Sequence, residues 1–277
     1  MRMQRRAGSL EVTTPEIALQ QRLGDHRPLW PELLAGLEWL SLKASPVYYG
    51  LGVPRGDDAP VVLVPGFLGS DRSLLEMHLW LGRIGYRSYL SGIGRNAGCP
   101  DTLMERLLET VERAYVQTGG KVKLIGHSLG GLLARAAAVQ RPERIAQVIT
   151  LASPFRQLSA HPLVLTLISV VRGKALEQHL SEGEESCECS FMEALSAPLP
   201  ASVARTAIYT KSDPVVNWRD CMDDDERLNV EVHGTHIGLA HNRSVYQEVA
   251  RLLAHPIGAR RPQSVDTQRE PGQQRAA

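Results

Sequence analysis

The sequence predicts an α/β fold with a mostly parallel central sheet and helices on both faces. Short apolar runs alternate along the chain with longer stretches in which apolar residues recur at helical spacing. Residues 61–64 form one such run, and its continuous Val/Leu content is typical of a strand buried on both faces. The length of 277 residues is enough for one domain with a full core.

The first 27 residues are polar and rich in Arg and Gln, so we expect a flexible lead-in before a main domain over 28–256. The stretch 28–44 differs, because it carries a stripe of apolar residues at helical spacing. The stripe consists of Trp30, Leu33, Leu34, Leu37 and Leu40. It predicts a helix packed on the body of its own domain, and transient contact with a membrane surface is the alternative role.

The central part of the domain follows a regular strand–helix order. Predicted strands are 61–64, 87–90, 122–125 and 146–151, and predicted helices are 74–84, 101–116 and 131–142. Asp71 or Ser73 is expected to cap the helix over 74–84, since Ser73 and Glu76 have the spacing of a capping box.

The alternation breaks after residue 153 and resumes with strands at 206–210 and 229–233 and a helix at 245–253. We interpret the region of about 154–204 as a cap insertion between two core strands. Its apolar segment 162–171 predicts a cap helix whose Leu165 and Leu167 line an acyl pocket, and a helix buried against the sheet is the alternative. The Gln-, Arg- and Pro-rich tail 257–277 is predicted to be disordered.

The motif with the most chemical information is Gly126–Gly130, a G-x-S-x-G pentapeptide between a predicted strand and a predicted helix. In this context the pentapeptide is typical of a nucleophile elbow, a strained turn that exposes the serine hydroxyl. Its glycines leave room where a side chain would collide with neighbouring backbone. We therefore predict that Ser128 is a nucleophile, and an ordinary glycine-bounded turn is the alternative.

A serine hydroxyl needs a base and a group that orients the base. His236 is the favoured base, because its loop follows the last predicted strand and parallel strands present their carboxyl ends to one site. Asp213, just after the strand at 206–210, is the favoured acid. The rivals that remain open are His233 and His241 for the base, and Asp220 and the run 223–225 for the acid. Since three adjacent carboxylates repel one another in a dry site, we interpret that run as a solvated loop.

The turn at 65–69 follows the first predicted strand, and its glycines let backbone N–H groups converge. We predict that the amides of Phe67 and of Leu129, the residue after the nucleophile, form an oxyanion hole. An ordinary Pro-Gly turn is the alternative. His127 lines the elbow, but its position excludes it as the base.

These segments resemble the α/β-hydrolases, in particular bacterial triacylglycerol lipases and esterases. The resemblance rests on residues 62–69, 126–131, 212–216 and 234–239, and extends over about 55–256. It implies the α/β-hydrolase fold, a Ser128–His236–Asp213 triad and no cofactor. One departure is Pro214, which stands where many relatives have glycine after the acid.

Composition and net charge limit the classes of binding partner and the cellular location that we expect. The net charge of +1 gives no electrostatic footprint for nucleic acid, and no apolar run is long enough to span a membrane. No secretory signal is visible, so we expect a cytoplasmic protein. The four cysteines are expected to be free thiols, with Cys221 the foremost candidate for a disulfide if the protein is exported. No metal site and no protein partner are predicted.

We therefore expect a serine hydrolase that cleaves small-molecule carboxylic esters, with an acyl-chain or lipid substrate, through an acyl-enzyme. An acyltransferase or thioesterase acting through the same triad is one alternative. A binding protein that has the fold without the activity is another.

Overall fold

The computed structural model describes residues 28–156 and 190–257, and these build one parallel sheet. Six strands lie in the order β2-β1-β3-β4-β5-β6, and every neighbouring pair is parallel. Their bounds are β1 Pro60–Val64, β2 Arg87–Leu90, β3 Val122–His127, β4 Ile145–Leu151, β5 Ala204–Tyr209 and β6 Asn229–Glu231. The predicted fold class is confirmed.

The helices lie between the strands and at the two ends of the described chain. They are α1 Ala35–Lys43, α2 Leu75–Ile84, α3 Pro100–Thr118, α4 Leu129–Gln140, α5 Ser190–Ser196 and α6 Arg243–Ala254. Short 3₁₀ helices occur at Trp30–Leu34, Pro46–Tyr49, Asp71–Leu74, Trp218–Cys221, Glu226–Leu228 and Gly238–His241. Within the described ranges, no helix combines the length and the apolarity that a membrane span requires.

Residues of the central strands β1, β3 and β4 enter two separate cores. In β1, Val61 and Leu63 face the core that α2 and α6 cover, whereas Val62 and Val64 face the core under α3 and α4. All five residues of β1 are buried. Because both faces are covered by helices, the central strands need apolar residues at every position, which explains the continuous runs in the sequence.

The start of α2 differs from the predicted capping box. A 3₁₀ turn over Asp71–Leu74 precedes the helix, whose N-cap is Leu74, and no side chain caps it. Asp71 instead accepts hydrogen bonds from the backbone N–H groups of Ser91 and Gly92 and from the Ser91 hydroxyl. The prediction was wrong because this carboxylate has partners in the loop after β2, which local spacing does not reveal.

The helix predicted in 28–44 forms, but the stripe is not its packed face. The five stripe residues, Trp30, Leu33, Leu34, Leu37 and Leu40, are 43–84% exposed. The buried apolar side chain of this segment is Leu42, and Glu32 and Glu38 point their carboxylates at the loop before α6. The interpretation as an apolar packing stripe was therefore wrong, because polar contacts with a distant loop set the orientation of the segment.

The described end of the region that was predicted as a cap insertion packs on the body of the domain. Helix α5 buries Phe191 and Ala194 in the same core as α3 and α4, and its first residues are held by the Asp101 carboxylate. Leu165 and Leu167, and the segment 162–171 that contains them, lie outside the described residues, as do Cys187 and Cys189. The assignment of Leu165 and Leu167 to an acyl pocket stays a prediction.

The strand order identifies the edge where a site is expected. The chain runs from β1 to β2 on one side and then crosses to β3 on the other, so the order reverses between β1 and β3. Ligand sites of open parallel sheets lie at the carboxyl ends of the strands beside such a reversal. The turn at 65–69 follows β1 and Ser128 follows β3, so both lie at this point.

Candidate active site

Ser128 occupies the single residue between β3 and α4. Its backbone has φ 51° and ψ −123°, a combination that residues other than glycine rarely adopt. The sharp reversal brings the first turn of α4 against the strands. A Cβ on Gly126 would lie 2.4 Å from the Gly130 carbonyl oxygen, and one on Gly130 would lie 2.3 Å from the Val64 carbonyl oxygen. The glycines of the pentapeptide are thus required by close backbone packing.

The loop after β6 brings His236 to the serine. His236 is buried, and its Nε2 lies 3.0 Å from the Ser128 Oγ across a separation of 108 residues. Its Nδ1 lies 2.7 Å from Asp213 Oδ2. Because an ionised carboxylate only accepts hydrogen bonds, neutral His236 carries its proton on Nδ1 and leaves Nε2 free to accept the Ser128 proton. This is the geometry that a general base requires.

Asp213 is buried in the turn after β5 and uses both carboxylate oxygens. Oδ2 faces His236, while Oδ1 accepts the backbone N–H groups of Val215 at 2.8 Å and Val216 at 2.9 Å. Pro214 has no backbone N–H to donate, and the donors to Asp213 Oδ1 are the two residues that follow it. The residue that departs from the family pattern is therefore compatible with a fixed carboxylate.

The charges around His236 favour its protonated form. Burial disfavours the imidazolium, but the charge and hydrogen bond of Asp213, together with the charge of Glu32, outweigh this effect and raise the pKa of His236. A raised pKa makes the ring a stronger proton acceptor. An imidazolium at this position is stabilised by the same carboxylates.

His127 contacts the histidine loop through its ring. Burial, together with the neighbouring His236, lowers the pKa of His127 to about 4, so the ring is neutral near pH 7. Its Nε2 lies 2.9 Å from the His236 carbonyl oxygen, which can only accept. His127 therefore donates this hydrogen bond. Sequence analysis placed His127 at the elbow but did not predict this contact.

The turn at 65–69 lies directly against the serine. A Cβ on Gly66 would come within 3.2 Å of the Ser128 Cβ. Asn96 holds the turn, because its side-chain amide donates to the Pro65 carbonyl at 2.7 Å and its backbone carbonyl accepts from the Leu68 N–H at 2.9 Å. Sequence analysis did not identify Asn96, whose role depends on a contact between two loops.

A small pocket that is open to solvent adjoins this turn. The two predicted oxyanion donors, Phe67 and Leu129, both line it, and the remaining lining is largely apolar. The other lining residues are Asn96, Ala97, Gly98, Pro100, Leu103 and Leu133. Leu129 is the first residue of α4, where backbone N–H groups have no acceptor within the helix.

The rival acids lie elsewhere or have other partners. Asp223 is buried and forms an ion pair with Arg205 at 2.7 Å, Asp224 pairs with Arg156, and Asp225 pairs with Arg227 at 2.7 Å. The interpretation of 223–225 as a solvated loop was therefore wrong for Asp223. Arginines neutralise the run, which removes the repulsion that the interpretation assumed.

The rival bases have no carboxylate–imidazole–serine arrangement. His233 is exposed, and burial lowers the pKa of His241. Among the cysteines, Cys221 is a buried thiol whose pKa is raised by that burial. In the part of the chain that the structure describes, no group of three His, Cys, Asp or Glu side chains forms a metal site.

Comparisons with known proteins agree with the fold. Residues 59–174 match the family described as having the alpha/beta hydrolase fold. A triacylglycerol lipase from Burkholderia plantarii is 35% identical over 133 residues, which are 44% of this chain and 37% of that lipase. This chain thus spans little more than a third of that relative.

Two further proteins are similar over more of their length. A mitochondrial palmitoyl-protein thioesterase from Pongo abelii is 24% identical over 235 residues, 76% of each chain. The crystal structure of a lipase from Bacillus licheniformis superposes with a TM-score of 0.51 at 12% identity, covering 73% of this chain and 94% of that chain. The structural likeness supports the fold, and the sequence likeness supports kinship with lipases and esterases.

Proposed function

We propose that this chain is a serine hydrolase of the lipase and esterase type, which has the α/β-hydrolase fold and cleaves carboxylic esters through an acyl-enzyme. The observation that carries the proposal is the hydrogen-bonded chain from Ser128 Oγ through His236 to Asp213, with distances of 3.0 Å and 2.7 Å. A serine becomes nucleophilic when a positioned base takes its proton, and these distances allow that transfer.

In the proposed reaction, the Ser128 oxygen attacks the ester carbonyl carbon while its proton passes to His236 Nε2. The resulting oxyanion accepts hydrogen bonds from the amides of Phe67 and Leu129. His236 then returns the proton to the departing alcohol, which leaves the acyl group on Ser128. Water, deprotonated by His236, attacks the acyl-enzyme and releases the acid. One oxyanion donor is typically worth a factor of about 10²–10³ in rate.

The pocket that adjoins the turn at 65–69 supports a proposal for the acyl side of the substrate. Its walls include Leu103 and Leu133, and it opens next to Phe67 and Leu129. Apolar walls bind acyl carbons and leave the ester group at the polar edge. We propose a small-molecule ester with an acyl chain as the substrate class.

Labelling with a fluorophosphonate probe tests the nucleophile, because only an activated serine reacts. The probe is expected to modify Ser128 in the native protein and to leave Ser128→Ala unlabelled. A series of nitrophenyl esters of increasing chain length then measures hydrolysis and acyl-chain preference. Absence of both labelling and hydrolysis in folded protein would contradict the proposal.

A thioesterase activity is the second candidate, supported by the similarity to the palmitoyl-protein thioesterase. Oxyesters and thioesters form the same acyl-enzyme, so the triad geometry serves both. Comparing hydrolysis of matched acyl oxyesters and thioesters separates the two substrates. Adding a competing alcohol and measuring how the product divides between acid and ester tests acyl transfer.

A further inference from the structure

Two carboxylates from the N-terminal helical segment accept hydrogen bonds from the loop that carries His236. Glu32 accepts the backbone N–H of His236 and that of Ile237, each at 2.8 Å, through different oxygens. Glu38 accepts the Thr235 N–H at 2.7 Å and the Asn242 side-chain amide at 2.7 Å. Three successive amides of one loop are thus held by side chains about 200 residues away in the sequence.

Of these two carboxylates, Glu32 is the one that contacts the backbone of the histidine itself. On the opposite side, His127 donates to the carbonyl oxygen of His236 at 2.9 Å. The peptide groups on both sides of the His236 Cα are therefore fixed by side chains rather than by a strand or helix. Since the ring must reach Ser128 and Asp213 at once, its backbone position decides whether both hydrogen bonds form.

Two glycines of this loop lie close to the Glu38 carboxylate. A Cβ on Gly238 would lie 2.3 Å from Glu38 Oε1, and a Cβ on Gly234 would lie 2.7 Å from Glu38 Oε2. Glycine at both positions therefore leaves room for the carboxylate of Glu38. The glycines on either side of His236 are explained by the approach of the N-terminal segment as well as by the turn.

Glu32 also contributes charge. The titratable groups that interact with His236 are Asp213 from the turn after β5, Glu32 from the N-terminal segment and His127 from the end of β3. The two carboxylates favour the imidazolium, while neutral His127 brings no charge near pH 7. Burial raises the pKa of Glu32, although the hydrogen bonds from Ile237 and His236 oppose that effect.

We propose that Glu32 is a positioning residue for the reaction, which holds the backbone of His236 in register with Ser128 and supports the imidazolium by its charge. The role rests on the proposed hydrolase function. Glu32 does not touch the substrate; it acts through the peptide groups of the histidine loop.

The test compares two substitutions of Glu32. Glu32→Gln removes the charge and places an amide NH₂ against one of the two N–H groups. We expect kcat for a nitrophenyl ester to fall by about 10–100-fold, with KM changed by less than about threefold. Because a negative charge favours protonated His236, its loss is expected to move the acid limb of kcat/KM to lower pH. Glu32→Asp keeps the charge but shortens the side chain, so kcat falls while the acid limb stays at the native pH.

Two controls separate this effect from a general disturbance. Leu33→Ala changes an exposed side chain of the same segment and is expected to leave kcat and the pH profile native. Glu38→Gln removes a second carboxylate that does not face the ring, so the acid limb is expected to stay in place even if the melting temperature falls. Titration of the His236 ring by NMR measures the charge effect without relying on catalysis.

Native kcat and a native acid limb in Glu32→Gln would overturn the proposal. So would insolubility of both Glu32 variants with soluble Leu33→Ala, since Glu32 would then serve folding rather than the reaction. If the native protein neither reacts with the fluorophosphonate nor hydrolyses esters, the proposed function fails instead. The NMR titration still decides the role of Glu32 in that case, because an unchanged His236 titration in Glu32→Gln contradicts it.

Discussion

Replacing Ser128 by glycine is expected to abolish ester hydrolysis and, at the same time, to stabilise the protein. Ser128 has φ 51° and ψ −123°, and a residue with a Cβ stores about 1–3 kcal/mol of strain in such a region. Glycine adopts it freely, at a cost of about 0.4–1 kcal/mol from the greater freedom of the unfolded chain. The nucleophile position is thus a place where function and stability oppose each other.

Ser128→Ala is the matched control for this prediction. Both variants lose the hydroxyl and its 3.0 Å contact with His236, but only glycine relieves the backbone. Ser128→Gly is therefore expected to be more stable than Ser128→Ala by about 0.5–2 kcal/mol. For a domain of this size, each kcal/mol corresponds to about 2–4 °C in melting temperature.

Urea unfolding of the two variants measures the stability difference, and hydrolysis of a nitrophenyl ester measures the activity. Both variants are expected to lose about 10⁴–10⁶ in kcat/KM, the scale of removing a triad serine. A glycine variant less stable than the alanine variant would refute the argument from backbone strain. Near-native hydrolysis by either variant would remove Ser128 from the mechanism.

Three further predictions test the acid, the base and the packing of the elbow. Asp213→Asn is expected to lower kcat by about 10⁴ in an ester assay, whereas Asp220→Asn changes it little; the reverse result would place the acid in the later loop. His236 must be neutral to accept the serine proton, and Asp213 raises the pKa of His236. We therefore expect kcat/KM to fall on acidification through a pKa above the ordinary histidine value of about 6.5. A pH–rate profile whose acid limb lies well below that value would contradict the assignment of His236 as the base. Gly130→Ala is expected to destabilise the protein by about 3 kcal/mol or more, because the new Cβ meets strand backbone. Gly82→Ala is the control, since Gly82 lies in a helix with open space around it, and it is expected to stabilise the protein by up to about 1 kcal/mol. Equal melting temperatures of the two variants would show that the close approach at Gly130 is absent.

Periodicity predicted the N-terminal helix correctly but not the face that it buries. The apolar stripe of α1 and of the 3₁₀ helix before it is exposed. Leu33 and Leu37 recur at helical spacing, and that spacing correctly predicts a helix. Which face of the helix turns inward depends on what it meets, and here two carboxylates find backbone donors on the histidine loop. The free energy of those hydrogen bonds is invisible to a count of apolar positions.

The sequence alone predicted the fold class, the elbow turn and the three residues Ser128, His236 and Asp213, whose side chains meet in the structure. Each of these follows from local pattern: continuous apolar runs, glycines around a serine, and polar residues just after strands, in the order that a parallel sheet collects at one edge. The tertiary structure decided the contacts between distant segments. It places Glu32 within hydrogen-bond distance of the His236 N–H, 204 residues away, and the Asn96 side chain within hydrogen-bond distance of the Pro65 carbonyl. It also pairs each carboxylate of 223–225 with an arginine. A hydrogen bond or an ion pair needs two specific atoms within about 3 Å, and local periodicity fixes the place of only one of them.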